Sequence, residues 1–366
     1  MDKKKIKKIS GLLIGLGLGI IIAFASPPSE LTTEAMRAMG IIVCSIVFMS
    51  METIPTYVTA ILMCASFVLF KCVNFEVAFA GFAGSTFWLI VGVLGIGIAV
   101  NKSGLLKRIS YYALKLFPPT FKGIVAALLG VGLACQPLMP STSAKQSIVA
   151  PISISMGEIL GFDKHSKQFA GLFNAMYIGW SIFGTVFISA SFLGYLFYSP
   201  LPSDVQMQFT WVNWFIAMIP WAIVVLIGNY LALTIIYKPK FEKEMTKEFI
   251  DNKLKELGPM TRDEKVVSII MVIALLMWIT EGVTGISASI TALLCLMIMI
   301  IFDVFNTADF NTKMGWSLII MIGGIANISN VMGNLEISNW VGTIIEPLLG
   351  GLIANPYLFT LALVIT

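Results

Sequence analysis

Charge is what this chain has least of. Only 12% of its 366 residues are charged, against about 25% in soluble domains, and there is one histidine, His165, in a polar loop beside Asp163 and Lys164. No apolar stretch holds two acidic residues, so neither paired aspartates, nor a Ser/His pair, nor a metal cluster is available at membrane depth, and no enzyme is expected. The five cysteines (Cys44, Cys64, Cys72, Cys135, Cys295) lie in or beside apolar segments without metal-ligand spacing. They predict core packing, with no disulfide framework and no metal cofactor. The one densely charged stretch, 238–265, mixes both signs and reads as a solvated cytoplasmic helical connector; no nucleic-acid partner is expected.

Long apolar runs take the place of charge. Hydrophobic residues make up 57% of the chain and mean hydropathy is +0.90, which predicts an all-α polytopic membrane protein with the lipid bilayer as its partner. Stretches able to cross a ~30 Å hydrocarbon core run roughly over 11–25, 36–51, 57–72, 87–100, 169–198, 214–237, 266–279, 288–302 and 316–332. The lysine-rich start resembles a signal peptide, but the many later spans favour an uncleaved first helix. With the N-terminus in the cytoplasm and 123–162 returning to its own side, only Arg37 and Lys71 among the basic residues fall outside, Lys145 set aside. That is the positive-inside pattern, expected here in a plasma membrane.

The apolar run 123–162 is interrupted by Pro140-Ser141-Thr142-Ser143-Ala144-Lys145. Non-helical backbone at membrane depth survives only where it is buried in protein or lines a water-filled cavity. Small hydroxyls and a lysine between two apolar arms therefore point to a place where a charged solute is held. A re-entrant hairpin and two full spans with an outer tip both satisfy the parity; the proline and the hydroxyls favour the hairpin. The run 169–198 is too long for one straight crossing. Gly179, Ser181, Gly184, Thr185, Ser189 and Ser191 at its middle predict a broken helix, the alternative being a long tilted helix with a small-residue packing face. Lys145 reads as the cation of the site, or else as a snorkelling or ion-paired side chain. Ser141, Thr142 and Ser143 read as ligands, or as the cap of the second arm with Pro140 setting the turn. Glu52 and Glu281, at span ends, read as interface or helix-packing groups, Trp211 and Trp214 as outer-interface anchors, and His165 as a surface residue.

An internal repeat organises the whole. Residues 87–95 (FWLIVGVLG) read like 315–323 (GWSLIIMIG) at an offset of 228. Glu52 with Thr59-Ala60-Ile61-Leu62 matches Glu281 with Thr291-Ala292-Leu293-Leu294 at offsets of 229 and 232, and Gly104 with Pro118 matches Gly333 with Pro347 at 229. The predicted topology sets the two copies in opposite directions, the inverted-repeat architecture of secondary transporters with a midplane site. The counterpart of Ser141 is then expected near position 370, past Thr366. The second repeat is accordingly expected to be incomplete, the chain a fragment, and transport absent from the chain as given.

Three motifs carry a family resemblance over essentially the whole chain. They are Met51-Glu52-Thr53-Ile54-Pro55, the pair Leu257-Gly258-Pro259-Met260-Thr261 with Trp278-Ile279-Thr280-Glu281, and the cluster at 140–145. The chain resembles the divalent anion/sodium symporters, the dicarboxylate, citrate and sulfate carriers, whose Ser-Asn-Thr signature sits at a hairpin tip. The resemblance implies a homodimer and secondary active transport of small di- or tricarboxylates (succinate, malate, 2-oxoglutarate, citrate) by an elevator, through sodium symport or anion exchange. Inorganic oxyanions such as sulfate are the alternative substrates, and sodium is the only coupling ion implied. It further implies scaffold helices over 1–122, a transport domain over 123–237, the connector 238–265, second-repeat scaffold over 266–350 and the opening of a second hairpin over 351–366. Ser141, Thr142, Ser143, Lys145 and Thr185 would bind substrate; Ser141, Thr142, Ser143 and Gly184 would bind the cation. Thr142 stands where the signature has Asn and loses an amide that both donates and accepts. Lys145 stands where sodium-coupled members have a neutral residue, and the citrate and oxoglutarate exchangers a basic one.

Overall fold

A computed structural model describes residues 3–139, 141–191, 203–239 and 248–353, with 194, 198, 201 and 355. Pro140, the side chain of Ser143, the end of the 169–198 run, Lys240, Lys243 and Lys247 of the connector, and 356–366 of the expected second hairpin lie outside the described residues. Among the described residues all regular structure is helical. The helices are α1 (Lys3–Ala23), α2 (Thr33–Ser50), α3 (Thr56–Leu69), α4 (Phe75–Ala78), α5 (Ala80–Ala83), α6 (Ser85–Ser103), α7 (Leu105–Lys115), α8 (Phe121–Ala134), α9 (Thr142–Ile159) and α10 (Lys167–Ser181). They continue with α11 (Ser203–Gln208), α12 (Trp211–Ile236), α13 (Glu248–Leu257), α14 (Arg262–Ile279), α15 (Glu281–Thr284), α16 (Ala288–Ile301), α17 (Thr307–Lys313), α18 (Trp316–Asn334) and α19 (Ile337–Ile353).

Among the described residues five helices, α1, α2, α6, α12 and α18, are long and apolar enough to cross a membrane. The 26 residues of α12 reach about 39 Å. They leave Ile223, Val224, Ile227, Leu231 and Ile235 exposed, an apolar face that water does not tolerate and lipid does. The protein is a multi-pass membrane protein.

The chain forms two compact units, 1–87 with 316–366, and 88–315. In the first, α1 crosses α2 with Gly19 against Gly40, and α3 packs on α18 with Gly324 against Ala60. Asn327 of α18 is fully buried; its Oδ1 accepts from the Gly81 amide at 2.5 Å and its Nδ2 donates to the Gly323 carbonyl at 3.3 Å. In the second unit, α10 packs against both α8 and α9, α12 backs α8, and α14 pairs with α16. Arg108 of α7 is buried and donates to both carboxylate oxygens of Glu264, at 2.8 and 3.0 Å, and to the carbonyls of Leu257, Gly258 and Pro259 at 3.3, 2.9 and 3.3 Å. Glu264 also closes a capping box with Thr261 at the start of α14, so one guanidinium ties α7 to the end of the connector.

The repeat is visible in the backbone. Helices α2 and α14 share their ends at an offset of 229, and their N-caps are both threonine, Thr32 and Thr261. From α3 onward the offset is 232: α3 matches α16, and Asn74 and Asn306 cap α4 and α17. Lys71 and Asp303 both turn left-handed (φ 55 and 60), as do Gly104 and Glu336 (φ 83 and 56). Cys72 and Val73 both bond to the Phe67 carbonyl, as Val304 and Phe305 bond to that of Met299. The three-residue step falls at the short helix α15, which the first repeat lacks. The expected match of Gly104 with Gly333 is displaced by the same step: the left-handed turn belongs to Glu336.

Candidate functional site

The interruption begins where α8 ends at Ala134, three residues before Pro137, which has no amide to carry the helical ladder on. The 14 residues of α8 make about 21 Å. A 3-10 turn, Gln136–Leu138, follows, then extended Met139 (φ −155, ψ 119). Ser141 caps α9, its Oγ accepting from the Ala144 amide at 3.3 Å. The capping reading of Ser141 is therefore realised, which leaves its remaining lone pair and the free amides of the first turn of α9 facing the tip.

The run 169–198 does break. Helix α10 stops at Ser181, a 3-10 turn Ile182–Thr185 follows, Phe187 is extended (φ −117, ψ 131), and a second 3-10 turn covers Ile188–Ala190. The small-residue packing face exists as well, one turn earlier: a Cβ on Gly179 would overlap the backbone of α8 at Leu128, and one on Gly132 would overlap Gly179. Close approach of α8 and α10 thus carries the break to the hairpin tip.

Lys145 is where the two meet. It has no exposed surface. Its Nζ donates to Gln136 Oε1 by a short hydrogen bond and to the Ala190 carbonyl at 3.4 Å. Gln136, equally buried, donates its Nε2 to the Gly179 carbonyl at 2.9 Å. Gly184 lies beside this pair: a Cβ there would be tight against Ser191 Cβ at 3.2 Å and in ordinary contact with Gln136 Oε1 at 3.7 Å. The snorkelling reading of Lys145 fails because a snorkelling head reaches water, and the ion-pair reading finds no carboxylate partner among the described residues. Held only by neutral acceptors, this buried amine is short of countercharge whenever it is protonated.

The other expected site residues fall around this centre. Ser141 and Thr142 are half-buried at the tip. Thr185 is half-buried beside Gly184, but its hydroxyl donates to its own turn, to the Ile182 carbonyl at 3.4 Å, and its carbonyl accepts from Trp214 Nε1 at 3.0 Å. No hydrogen bond joins Thr185 to Ser141 or Thr142 among the described residues. Three participants were missed. Gln136 is the lone amide in the first arm, 123–139, and that isolation was its available signal. Trp211 and Trp214 are more than interface anchors: Trp211 is buried and donates its indole N–H to Ser189 Oγ at 3.0 Å, and both indoles hold the broken segment. Glu281 acts in packing, accepting the amides of Trp211 at 3.0 Å and Ala288 at 2.9 Å. His165 and Glu52 are exposed, as expected.

A sequence model of the sodium:sulfate symporter transmembrane region matches residues 6–366. The chain is 28% identical over 357 residues to YflS of Bacillus subtilis (strain 168), provisionally named a malate transporter, covering 95% of this chain and 74% of that protein. It is 26% identical to the chloroplastic dicarboxylate transporter 2 of Spinacia oleracea, covering 91% and 61%. It is 24% identical to the inner membrane protein YbhI of Escherichia coli (strain K12), covering 94% and 74%. The chain thus spans about three quarters of the bacterial relatives and about three fifths of the spinach one.

Proposed function

The chain belongs to the sodium:sulfate symporter transmembrane family, and from that premise we propose that it carries small di- and tricarboxylates of the succinate, malate, 2-oxoglutarate and citrate class across the plasma membrane. It is a membrane transporter and not an enzyme. The observation that carries the substrate reading is Lys145, buried without a carboxylate. Burying a charge is costly unless it is paired, so a substrate carboxylate is the partner this ammonium lacks. Because Lys145 is closed off, the tip and the break must part for the anion to reach it, which suits a moving element built from 123–237 on a fixed scaffold.

In this reading Ser141, Thr142, Ser143 and Thr185 hydrogen-bond one carboxylate, aided by the free amides at the start of α9, while Lys145 balances charge. A sodium ion, where it is carried with the substrate, would take oxygens from Ser141, Thr142, Ser143 and the Gly184 backbone. Lys145 competes for that role, and an ammonium that already balances the anion favours exchange of one anion for another. The distribution of basic residues supports an N-terminus in the cytoplasm, and the family resemblance supports a homodimer. Sulfate is the second reading, favoured by the family's own description.

The test is uptake of radiolabelled succinate into proteoliposomes of the full-length protein, with and without sodium and with and without internal dicarboxylate, sulfate serving as competitor. Uptake that ignores sodium and requires internal dicarboxylate is the expected result. Uptake that requires sodium and ignores the internal load would remove Lys145 as the countercharge, and displacement by sulfate alone would replace the carboxylate reading.

A further inference from the structure

Helix α9 has a second working face. Lys145, Val149 and Met156 lie buried on one side, and Ile152, also buried, reaches the edge of the cleft on the other, as the i, i+4, i+7 and i+11 spacing dictates. Ser147 and Ser155 look instead onto a separate cleft of ≈ 370 Å³ between α9, the junction of α6 with α7, and α13. From Ser155 to Ser147 the cleft follows α9 for about 12 Å, and Ser147 stands about 9 Å along the axis from Ser141. It therefore runs towards the hairpin tip.

Its charges are unbalanced. Lys253 binds both carboxylate oxygens of Glu256, at 3.0 and 2.7 Å, a pair that cancels. Lys107, also in the lining, has no hydrogen bond or ion pair among the described residues, so the described lining carries two lysines against the single carboxylate of Glu256. Asn101 adds an amide at the same wall. The Ser147 and Ser155 hydroxyls donate back to the Ala144 and Pro151 carbonyls at 2.8 and 2.9 Å; rotation about one bond turns either donor towards an arriving anion.

We propose that this cleft is a waiting site for a compact dianion, a dicarboxylate or sulfate, on its way between the connector side and the α9 tip. Lys107 holds its charge there, and Asn101, Ser147 and Ser155 supply donors. The site rests on the transport reading and extends it to a second, weaker station reached before the hairpin opens. A focused positive potential at a cleft raises capture of anions and weakens with salt.

The experiment compares wild type with Lys107→Gln, Lys107→Glu and Lys107→Arg in proteoliposomes. At low salt KM for succinate or sulfate should rise roughly tenfold in Lys107→Gln and further in Lys107→Glu. Lys107→Arg should restore it, kcat should stay within about twofold, and the differences should shrink as salt rises. A Ser155→Cys protein labelled with an anionic thiol reagent gives a readout independent of transport: succinate or sulfate should slow labelling, and should not do so once Lys107→Gln is added. Unchanged KM in all three variants together with unprotected labelling would overturn the waiting site while leaving transport intact. A full-length wild type that moves no dianion would overturn the transport reading, and labelling would then decide the cleft alone.

Discussion

Two buried cations in the same compact unit are treated in opposite ways. Arg108 meets a carboxylate through two hydrogen bonds and three backbone carbonyls besides. Lys145 meets one amide oxygen and one carbonyl. Both are shielded from water, so solvent explains neither. A cation whose donors are spent on fixed acceptors is a fastener, since any change in its surroundings leaves a bare charge behind. A cation given only neutral acceptors retains electrostatic attraction for a mobile anion. On this comparison α7 and the connector are clamped together, whereas Lys145 beside the hairpin tip keeps the attraction on which the proposed anion binding rests.

The largest effect should come from breaking the fastener. Arg108→Met leaves Glu264 buried and uncompensated, for a loss of about 3–5 kcal/mol. Thermal unfolding in detergent should register the loss, and adding Glu264→Met should recover part of it. Lys145→Gln should behave in the reverse way. Dicarboxylate uptake should fall about 100-fold, roughly 2.7 kcal/mol of lost stabilisation, while the melting temperature holds or rises because an underpaired buried charge is gone. A Lys145→Gln protein as unstable as Arg108→Met would make Lys145 a second fastener and end the comparison.

How much of this was legible beforehand follows from the range of the interactions. Eight of the nine apolar runs coincide with helix over most of their length, and the ninth is helical only as far as Ser181, a break written in Gly179, Ser181, Gly184 and Thr185 as local backbone chemistry. The tip was marked by Pro140 and its hydroxyls. What stayed hidden is long-range: Arg108 and Glu264 are 156 positions apart, and an apolar pattern says that a face is buried without naming its partner. Trp211 shows the same limit, because a tryptophan at a helix start has one composition signal whether it sits among lipid headgroups or stacks on Trp278 with centroids 6.1 Å apart. The repeat was found at 229 but slipped downstream, since the three-residue step at α15 leaves the hydrophobic periodicity of both flanks unchanged.

A buried anion extends the comparison. Asp309 accepts from Lys102 and Lys313 at 2.7 and 2.8 Å and from the Asn306 amide at 3.2 Å. Burial pushes its pKa up, but the hydrogen bonds from Lys102, Lys313 and the Asn306 amide outweigh it and bring the value down from 3.8 to about 2. A depressed carboxylate contributes stability that is complete above its unfolded pKa and is lost as pH falls through the folded one. Roughly 2 kcal/mol should therefore disappear between about pH 4 and pH 2, and Asp309→Asn should flatten that limb of the stability profile. An unchanged acid limb would mean that the two lysines leave Asp309 for solvent in the membrane.

The smallest effect is the most direct test, because it converts one cation into the likeness of the other. Gln136→Glu would place a carboxylate beside Lys145 Nζ at the position of the present amide oxygen, giving the ammonium a built-in counterion. The same change removes the Nε2 donor to the Gly179 carbonyl, a loss of about 1 kcal/mol that offsets much of what the new pair contributes, so stability should scarcely move. Function should not be spared. A resident carboxylate competes with the substrate's for a single ammonium, and uptake should fall about tenfold, equivalent to about 1.4 kcal/mol, with KM rising more than kcat falls. If uptake is retained in Gln136→Glu, Lys145 does not meet the substrate anion, and the charge that balances it must be sought at the serines and threonines of the tip with a co-transported cation.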